Sequence, residues 1–198
     1  MNYYWAKFKK LNNNIFRFDT RIYLNLVENP SDNDLCIGGV VGKNPGSALP
    51  YYYDSNNLQK IDLNGDKLLP NVRSIFLKAY KYSNKTIYKN SYIQVLNLIY
   101  ICDKDLSQAT KRIEEYSKII ICDAESKHFP FLWYVWGGYN EKLNIYKQRF
   151  CNLNIGLNFY FSTKNKKIIN SVPGLKDAAR HTQGLKHKLV IPYISNII

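Results

Sequence analysis

The sequence contains no apolar run that approaches the ~20 residues of a membrane-spanning helix. Its N-terminal segment, MNYYWAKFKK, lacks the apolar centre of a signal peptide. No Pro-, Gly- or Ser-rich linker divides the 198 residues. We therefore expect a single α/β domain over residues 1–198 that is soluble, cytoplasmic and free of membrane contacts.

Metal-binding patterns are also missing. The four cysteines are far apart and form no C-x-x-C pair, and His128, His181 and His187 show no ligand spacing with them. These spacings argue against a structural zinc site. We expect free thiols, as in intracellular proteins, and predict no metal or other cofactor.

Acidic residues are scarce. The chain has 15 Asp and Glu against 28 Lys and Arg, a formal net charge of +13, together with 17 Tyr, 9 Phe and 3 Trp. Basic side chains attract phosphate backbones and aromatic faces stack on bases, so this composition predicts DNA or a nucleotide as the partner. Codon bias in an AT-rich genome is the alternative source of Lys, Asn, Ile and Tyr, but it would also enrich Asp and Glu.

Apolar patterning alternates between strand-like and helix-like segments. Strands are predicted at residues 15–27, 35–41, 92–99, 118–122, 131–136 and 156–161, with a last strand or extended tail at 189–194. Helices are predicted from Pro70 through Ala79 and at 105–116 and 140–153. This order predicts a three-layer α/β/α fold with a mostly parallel central sheet, in which residues 1–34 form a strand or hairpin extension of a core at 35–198.

Two common phosphate-binding motifs do not fit. Ile37 and Asn44 stand where a Walker A loop needs Gly and then Ser or Thr. The glycines Gly38, Gly39 and Gly42 do not match G-x-G-x-x-G. ATP- and NAD-dependent chemistry is therefore unsupported.

The most informative segment joins the strand-like run Leu35–Val41 to a turn, Gly42–Ala48, with the sequence GKNPGSA. A buried strand that ends in such a turn brings backbone N–H groups and one amide side chain to the carboxyl edge of a sheet, where open α/β folds bind ligands. We expect any active site there. The structural alternative is a plain turn, because Asn and Gly are common turn formers.

This segment resembles the G-x-N-P-G motif of mismatch-specific and thymine-DNA glycosylases in the uracil-DNA glycosylase superfamily. It is also similar to the L-N-P-S-x-A signature of a bacterial domain of unknown function, family 1643. For the second family, Asp66–Lys81 resembles a D-x-T-x-R-R helix, Val95–Leu98 a V-N-L strand and Tyr134–Gly137 an A-W-G segment. These matches occur in the family's order and cover about residues 35–194.

The resemblance implies a site that holds a heterocyclic base, built like a uracil-DNA glycosylase. In the G-x-N-P-G enzymes the Asn orients the attacking water, which would make Asn44 a catalytic residue. Pro45 would stiffen the turn, and Gly42 and Gly46 would let the backbone approach the base. The superfamily reads the base with an Asn at a strand end, and Asn97 is similarly placed. Asn97 has a structural alternative, a buried amide that ties backbones together.

Aromatic and basic residues complete the predicted site. Tyr52, or its neighbours Tyr51 and Tyr53, would stack on the base, although such tyrosines also serve packing. The superfamily's late His-Pro-Ser or Asn-Pro-Ser element has no clean counterpart; of the nearest candidates, His187 is taken as catalytic. The predicted contacts to a nucleic-acid backbone are Lys43, Arg180, His181, Lys186 and Lys188.

Two functions stay open. One is an N-glycosylase that hydrolyses a base–sugar bond in DNA or a nucleotide, with Asn44 positioning water and Asn97 or a C-terminal His acting on the base. The other is a non-catalytic module that binds a base, a nucleotide or nucleic acid in the same pocket. A general nucleic-acid binder that reads no base is a weaker third option. Base recognition requires Asn44 and Asn97 to face a common cavity.

Overall fold

The computed structural model describes residues 1–50, 57–153 and 155–198. Within these residues, nine strands form one mixed sheet: β1 (Asn2–Leu11), β2 (Asn14–Val27), β3 (Cys36–Gly42), β4 (Leu49–Pro50), β5 (Gln59–Asp62), β6 (Tyr92–Asn97), β7 (Phe129–Tyr134), β8 (Ile155–Ser162) and β9 (Lys167–Ile169). The α-helices are α1 (Leu68–Ser83), α2 (Leu106–Glu114), α3 (Asn144–Gln148) and α4 (Ile191–Ile197). Short 3₁₀ segments occupy Asp123–Ser126, Glu141–Leu143, Arg149–Asn152 and His187–Leu189.

The sheet is mostly antiparallel. Its strand order is β4-β5-β1-β2-β6-β3-β7-β8-β9, and only the pairs β6–β3, β3–β7 and β7–β8 among its eight neighbouring pairs are parallel. The prediction of a three-layer fold with a mostly parallel sheet, like that of uracil-DNA glycosylases, is therefore wrong. Side-chain alternation identifies a strand but does not show whether its partner runs parallel or antiparallel. The antiparallel pairs all involve at least one of β1, β2, β4, β5 and β9.

The first hairpin accounts for most of this difference. Asn12 and Asn13, which connect β1 to β2, both have positive φ, 44° and 64°. Such a two-residue turn matches the twist of paired strands and forces them to be antiparallel, and Asn tolerates the left-handed conformation. β2 then pairs antiparallel with β6, so the hairpin extends the sheet beside its parallel centre.

Local capping defines the two long helices. At the start of α1, Asp66 Oδ1 accepts the N–H groups of Leu68 and Leu69 at 2.8 and 3.2 Å. The side chain of Asp105 accepts the N–H of Ser107 and Gln108 at the start of α2. Free N–H groups at a helix start are satisfied in this way. The predicted helices at 70–79 and 105–116 are confirmed, the first as part of a longer helix.

Two predicted strands are absent. Residues 118–122 form neither strand nor helix, and Ile119 and Ile121 are exposed, so an apolar run did not indicate burial here. Residues 189–194 lie in a 3₁₀ turn and α4 rather than in a strand. Pro192 lies in the first turn of α4, where its missing N–H costs no helical hydrogen bond.

The central strands bury side chains on both faces. Val40, Val95 and Trp133 belong to one apolar cluster together with residues of α1 and α4, whereas Val41 and Leu96 belong to a second cluster. Successive strand residues point to opposite faces, so this division follows from the strand geometry. Among the described residues, no helix has the length and apolar content needed to cross a membrane.

Candidate functional site

The carboxyl ends of three neighbouring strands meet at one cleft. Gly42, the last residue of β3, is paired in register with Asn97, the last residue of β6, and the chain that leaves β7 supplies Trp136. The turn 43–47, which follows β3, forms one wall. The cleft has a volume of about 590 Å³, within the range of small-molecule sites. Its position matches the expectation that any active site lies at this turn.

Asn44 is fixed by a hydrogen bond to Asp103, in the segment that follows β6. Its Nδ2 donates a hydrogen bond to the carbonyl oxygen of Asp103 at 2.7 Å. The carboxylate of Asp103 in turn accepts the N–H of Asp105 at 2.8 Å and pairs with Arg112 at 3.0 Å. Because this bond engages one of the two Nδ2 hydrogens, Asn44 can offer its amide oxygen and its second N–H to water or a ligand.

The turn beside Asn44 depends on its glycine. Gly46 has a φ of +70°, a left-handed conformation that favours glycine, and forms an isolated bridge with Asp103. A Cβ at Gly46 would meet no atom of the described residues within 4 Å. The preference for glycine at this position therefore comes from the backbone angle rather than from crowding. Pro45 is buried next to it. The turn is therefore held in one shape from both ends.

Asn97 lies at the floor of the cleft with an unused amide. Its side chain lines the cavity although the residue is only 2% exposed, and Nδ2 has no hydrogen-bond acceptor among the described residues. Leaving a buried polar group unsatisfied typically costs about 1–3 kcal/mol. Gly42 lies against this amide, since a Cβ there would be 3.1 Å from Asn97 Oδ1. A ligand acceptor is the natural partner for the free Nδ2.

A buried network holds Asn97 from behind. Arg149 Nη2 donates to the carbonyl oxygen of Asn97 at 2.6 Å, and Arg149 Nε donates to Glu125 Oε2 at 2.8 Å. The hydroxyl of Tyr100 donates to Glu125 Oε1 at 2.6 Å. Burial, followed by the charge of Glu125, holds the pKa of Tyr100 well above its usual range, so this hydroxyl remains a donor. The network fixes the backbone that carries the cleft amide.

The segment 179–183 contributes His181 and Gln183 to the lining of the cleft. Gly137 donates its N–H to the carbonyl oxygen of Ala179 at 2.6 Å, which brings the segment 179–183 over the strand ends. His181 Nδ1 accepts the N–H of Gln183 at 3.1 Å, so the neutral ring carries its hydrogen on Nε2. Burial and the nearby Lys43 lower the pKa of His181, and burial lowers the pKa of Lys43.

The cleft is lined by buried hydrogen-bond donors that have no acceptor among the described residues. Four buried nitrogen atoms of its lining residues have no acceptor among the described residues: Asn97 Nδ2, Trp136 Nε1, and Nε and Nη1 of Arg17. All four are donors, so a matching ligand must present acceptor oxygens or nitrogens. Among the described residues, the charged ones that line the cleft are Arg17, Lys43, Lys67 and Lys104 against a single carboxylate, Asp66. The arrangement favours an anionic, acceptor-rich ligand.

Several of the predicted site residues do come together. Lys43, Asn44, Pro45, Gly46, Asn97 and His181 line the cleft, and Gly42 is packed against Asn97. Asn44 and Asn97 thus face a common cavity, as base recognition requires. Tyr52, like Tyr51 and Tyr53, falls outside the described residues.

Other predicted residues lie elsewhere. His187 Nδ1 is 3.0 Å from Lys78 Nζ of α1 and does not line the cleft; burial and the charge of Lys78 lower the pKa of His187. Arg180, Lys186 and Lys188 line a separate surface, which we call the C-terminal groove, together with Phe161, Thr163, Lys166, Gly184, Leu185 and Leu189.

Sequence reasoning missed Arg17 and Trp136. Arg17 lies in an apolar strand between two phenylalanines, and only the pairing of β2 with the rest of the sheet reveals that it reaches the cleft. Trp136 precedes Gly137 and Gly138, and this glycine pair after a strand is a sequence signal of close backbone approach. Tryptophan in an apolar run normally indicates core packing, which obscured the signal.

Comparisons with protein-family models, with curated proteins and with solved structures found no match for this chain. Its four cysteines are free thiols, and no group of three His, Cys, Asp or Glu residues in the described ranges could hold a metal ion. The chemistry of the site must therefore be inferred from the cleft itself.

Proposed function

We propose that this chain binds a nucleotide or a nucleic acid by placing a base in the cleft between Asn44 and Asn97. One observation carries the proposal: the buried amide of Asn97 lines a cavity of about 590 Å³ and has no acceptor for Nδ2 among the described residues. An amide can donate to a ring carbonyl and accept from a ring N–H of the same base. The net charge of +13 supports a phosphate-bearing partner.

The unmatched donors also narrow the kind of base. Asn97 Nδ2 and Trp136 Nε1 can each donate to a ligand, so a base with exocyclic carbonyl oxygens fits better than one with exocyclic amino groups. Uracil, thymine and guanine carry such oxygens, whereas adenine carries none. We expect discrimination against adenine, because its only acceptors are ring nitrogens and its amino group would be a further donor beside Asn97 Nδ2 and Trp136 Nε1.

Hydrolysis of an N-glycosidic bond is a second candidate, favoured by the orientation of Asn44. With Nδ2 tied to Asp103, the amide oxygen is left to position a water molecule, the role that the G-x-N-P-G resemblance implies. Asp66, the sole carboxylate among the described lining residues, already accepts two N–H groups of α1. If the chain hydrolyses its ligand, the water therefore depends on Asn44.

Binding is tested by titrating uridine, thymidine, guanosine and adenosine into the protein and into Asn97→Leu, which replaces the amide with an apolar group of similar size. We expect carbonyl-bearing nucleosides to bind the natural protein better, and Asn97→Leu to lose roughly 5- to 100-fold in affinity. Asn25→Leu is the matched control, because Asn25 is exposed on β2 and does not line the cleft. Equal affinity for Asn97→Leu and the natural protein would overturn the proposal.

Hydrolysis is tested by incubating the protein with uracil-, mismatch- and modified-base duplexes and measuring free base. An enzyme releases base, and Asn44→Ala should abolish the release while leaving affinity for the duplex in place. Binding without release from any duplex assigns the chain to the non-catalytic class.

A further inference from the structure

Arg17 reaches the cleft from the N-terminal hairpin. Its main-chain N–H donates to the carbonyl oxygen of Tyr100 at 2.9 Å, and its neighbour Phe16 forms an isolated bridge with Ile101. These contacts fix β2 against the chain that leaves β6. The Arg17 side chain lines the cleft and is 2% exposed. These backbone contacts therefore hold the Arg17 guanidinium in the cleft.

The guanidinium of Arg17 lacks the partners that a buried charge normally has. Nε and Nη1 donate no hydrogen bond to the described residues, and the Asp66 carboxylate is 3.6 Å from Nη1, longer than an N–H···O bond. Asp66 Oδ1 is already occupied by the N–H groups of Leu68 and Leu69. Buried charges are normally paired and hydrogen-bonded, so Arg17 is prepared for an acceptor that the described residues do not supply.

Arg21, on the same strand, shows the contrasting arrangement. It is also fully buried, but Nε donates to Asp19 at 3.1 Å, Nη1 to the carbonyl oxygen of Ser31 at 2.7 Å, and Nη2 to Asp19 and Asp32 at 2.7 and 2.5 Å. Each of its three nitrogens has an acceptor. The lack of partners at Arg17 is thus a property of the cleft rather than of buried arginines in this strand.

The charges around Arg17 indicate the class of its missing partner. Lys43, Lys67 and Lys104 line the same cavity, and Asp66 is the one carboxylate among the described lining residues. Lys43 is half-buried and its side chain reaches Gly137, where a Cβ would be 3.6 Å from Nζ. Guanidinium and ammonium groups are the side chains that typically bind phosphate, and one of each lines this cavity at Arg17 and Lys43.

We infer that Arg17 and Lys43 form a phosphate-binding subsite within the cleft, so that its ligand is a phosphorylated nucleoside rather than a free base or nucleoside. The nucleoside part of this inference rests on the proposed function. The phosphate subsite is argued independently, from the side chains of Arg17 and Lys43. A free nucleotide and a nucleic-acid strand offer the same phosphate oxygens. The experiment separates these two sources.

The first measurement compares uridine with uridine 5′-monophosphate by calorimetry. In the natural protein we expect the phosphate to raise affinity at least tenfold, because charge-assisted hydrogen bonds are about twice as strong as neutral ones. Arg17→Gln should abolish this gain. Lys118→Gln removes one exposed charge far from the cleft lining and should keep the gain. An undiminished preference for the nucleotide in Arg17→Gln would overturn the inference.

A second measurement needs no variant. Inorganic phosphate is titrated into the natural protein while the side-chain Nε–H signals of the arginines are followed by NMR. We expect the Arg17 signal to shift and its hydrogen exchange to slow, while the Arg21 signal remains unchanged. An Arg17 signal that inorganic phosphate leaves unaffected would also overturn the inference, even if Arg17→Gln fails to fold.

The same data separate the subsite from the proposed function. If phosphate shifts the Arg17 signal but uridine does not bind, the phosphate subsite is supported and base recognition is contradicted. If uridine binds but its monophosphate binds no better, base recognition stands and the subsite fails. Comparing uridine 5′-monophosphate with an oligonucleotide that lacks a 5′-phosphate identifies the source: tighter binding of the mononucleotide assigns a free nucleotide, and tighter binding of the strand assigns a nucleic acid.

Discussion

The cleft and the C-terminal groove are both basic, but they present their charge differently. In the cleft, donors of Arg17, Asn97 and Trp136 are buried and unmatched, whereas Lys186 and Lys188 of the groove are exposed. Exposed cations attract any polyanion and lose little by having no partner. Buried donors without acceptors carry a cost that only a ligand of matching shape removes. The comparison predicts that the groove attracts polyanions in general, whereas the cleft selects among them.

The largest difference between the cleft and the C-terminal groove is expected in how much a variant of each lowers the free energy of unfolding. Glu125→Gln removes the carboxylate that pairs with Arg149 behind the cleft, and breaking a buried ion pair on one side costs about 3–5 kcal/mol. Lys186→Gln in the groove should change the free energy of unfolding by less than about 0.5 kcal/mol. Urea denaturation of both variants measures the difference. Equal midpoints would show that the cleft has no more rigid support than the groove.

A smaller contrast is expected from crowding at Asn97. Gly42→Ala places a Cβ 3.1 Å from Asn97 Oδ1, so the amide must shift by a few tenths of an ångström. We expect roughly a fivefold loss of nucleotide affinity, because one hydrogen bond of about 1 kcal/mol is misaligned. Gly174→Ala is the matched control, since its Cβ would be similarly close, 3.2 Å, to Asp177 Oδ2 outside the cleft. Calorimetry of both variants decides whether the position of the amide matters.

The groove should affect salt dependence rather than base choice. Lys186→Gln combined with Lys188→Gln should reduce the slope of log affinity against log salt for single-stranded DNA, by about 0.7 for each phosphate that the groove no longer neutralises. Preference among bases should not change. Measured selectivity that falls together with the slope would mean that the groove, and not the cleft, reads the base.

The smallest contrast concerns the two histidines. Burial and a neighbouring lysine lower the pKa of both His181 and His187, but the lysines differ. Lys43→Gln should raise the pKa of His181 alone, and Lys78→Gln that of His187 alone, by NMR titration. Because the folded pKa lies below the unfolded value, each histidine's contribution to stability is complete above about pH 6.5 and is lost as the pH falls. A common response to either variant would contradict the separation of the two regions.

The sequence predicted the centre of the site better than its surroundings. Asn44 was predicted from the turn that follows an apolar run, and Asn97 from the resemblance to glycosylases that read the base with an Asn at a strand end. The two residues follow and end the neighbouring strands β3 and β6. Arg17 was missed because its role depends on the antiparallel pairing of β2 with β6, which no local pattern of residues encodes. His187 was assigned to the site by its position late in the chain, yet it lies beside Lys78 of α1.

The central strands of the sheet were predicted, whereas the strands at its two edges were missed. The strands at 35–41, 92–99, 131–136 and 156–161 are present as β3, β6, β7 and β8. Strands β4, β5 and β9 have two to four residues, too few for an alternation to be recognised, and β1 was not separated from the hairpin as a whole. These are also the strands that make the sheet mostly antiparallel, so the fold class could not be obtained from periodicity.

The two outermost strands of the sheet, β4 and β9, have a further consequence. Within the described residues, one edge ends in Leu49–Pro50 and the other in Lys167–Ile169. Proline offers no N–H to an incoming strand, and a short edge that begins with lysine repels a second copy. The exposed backbone of this large sheet is therefore a poor template for strand addition, which protects the chain against edge-to-edge aggregation.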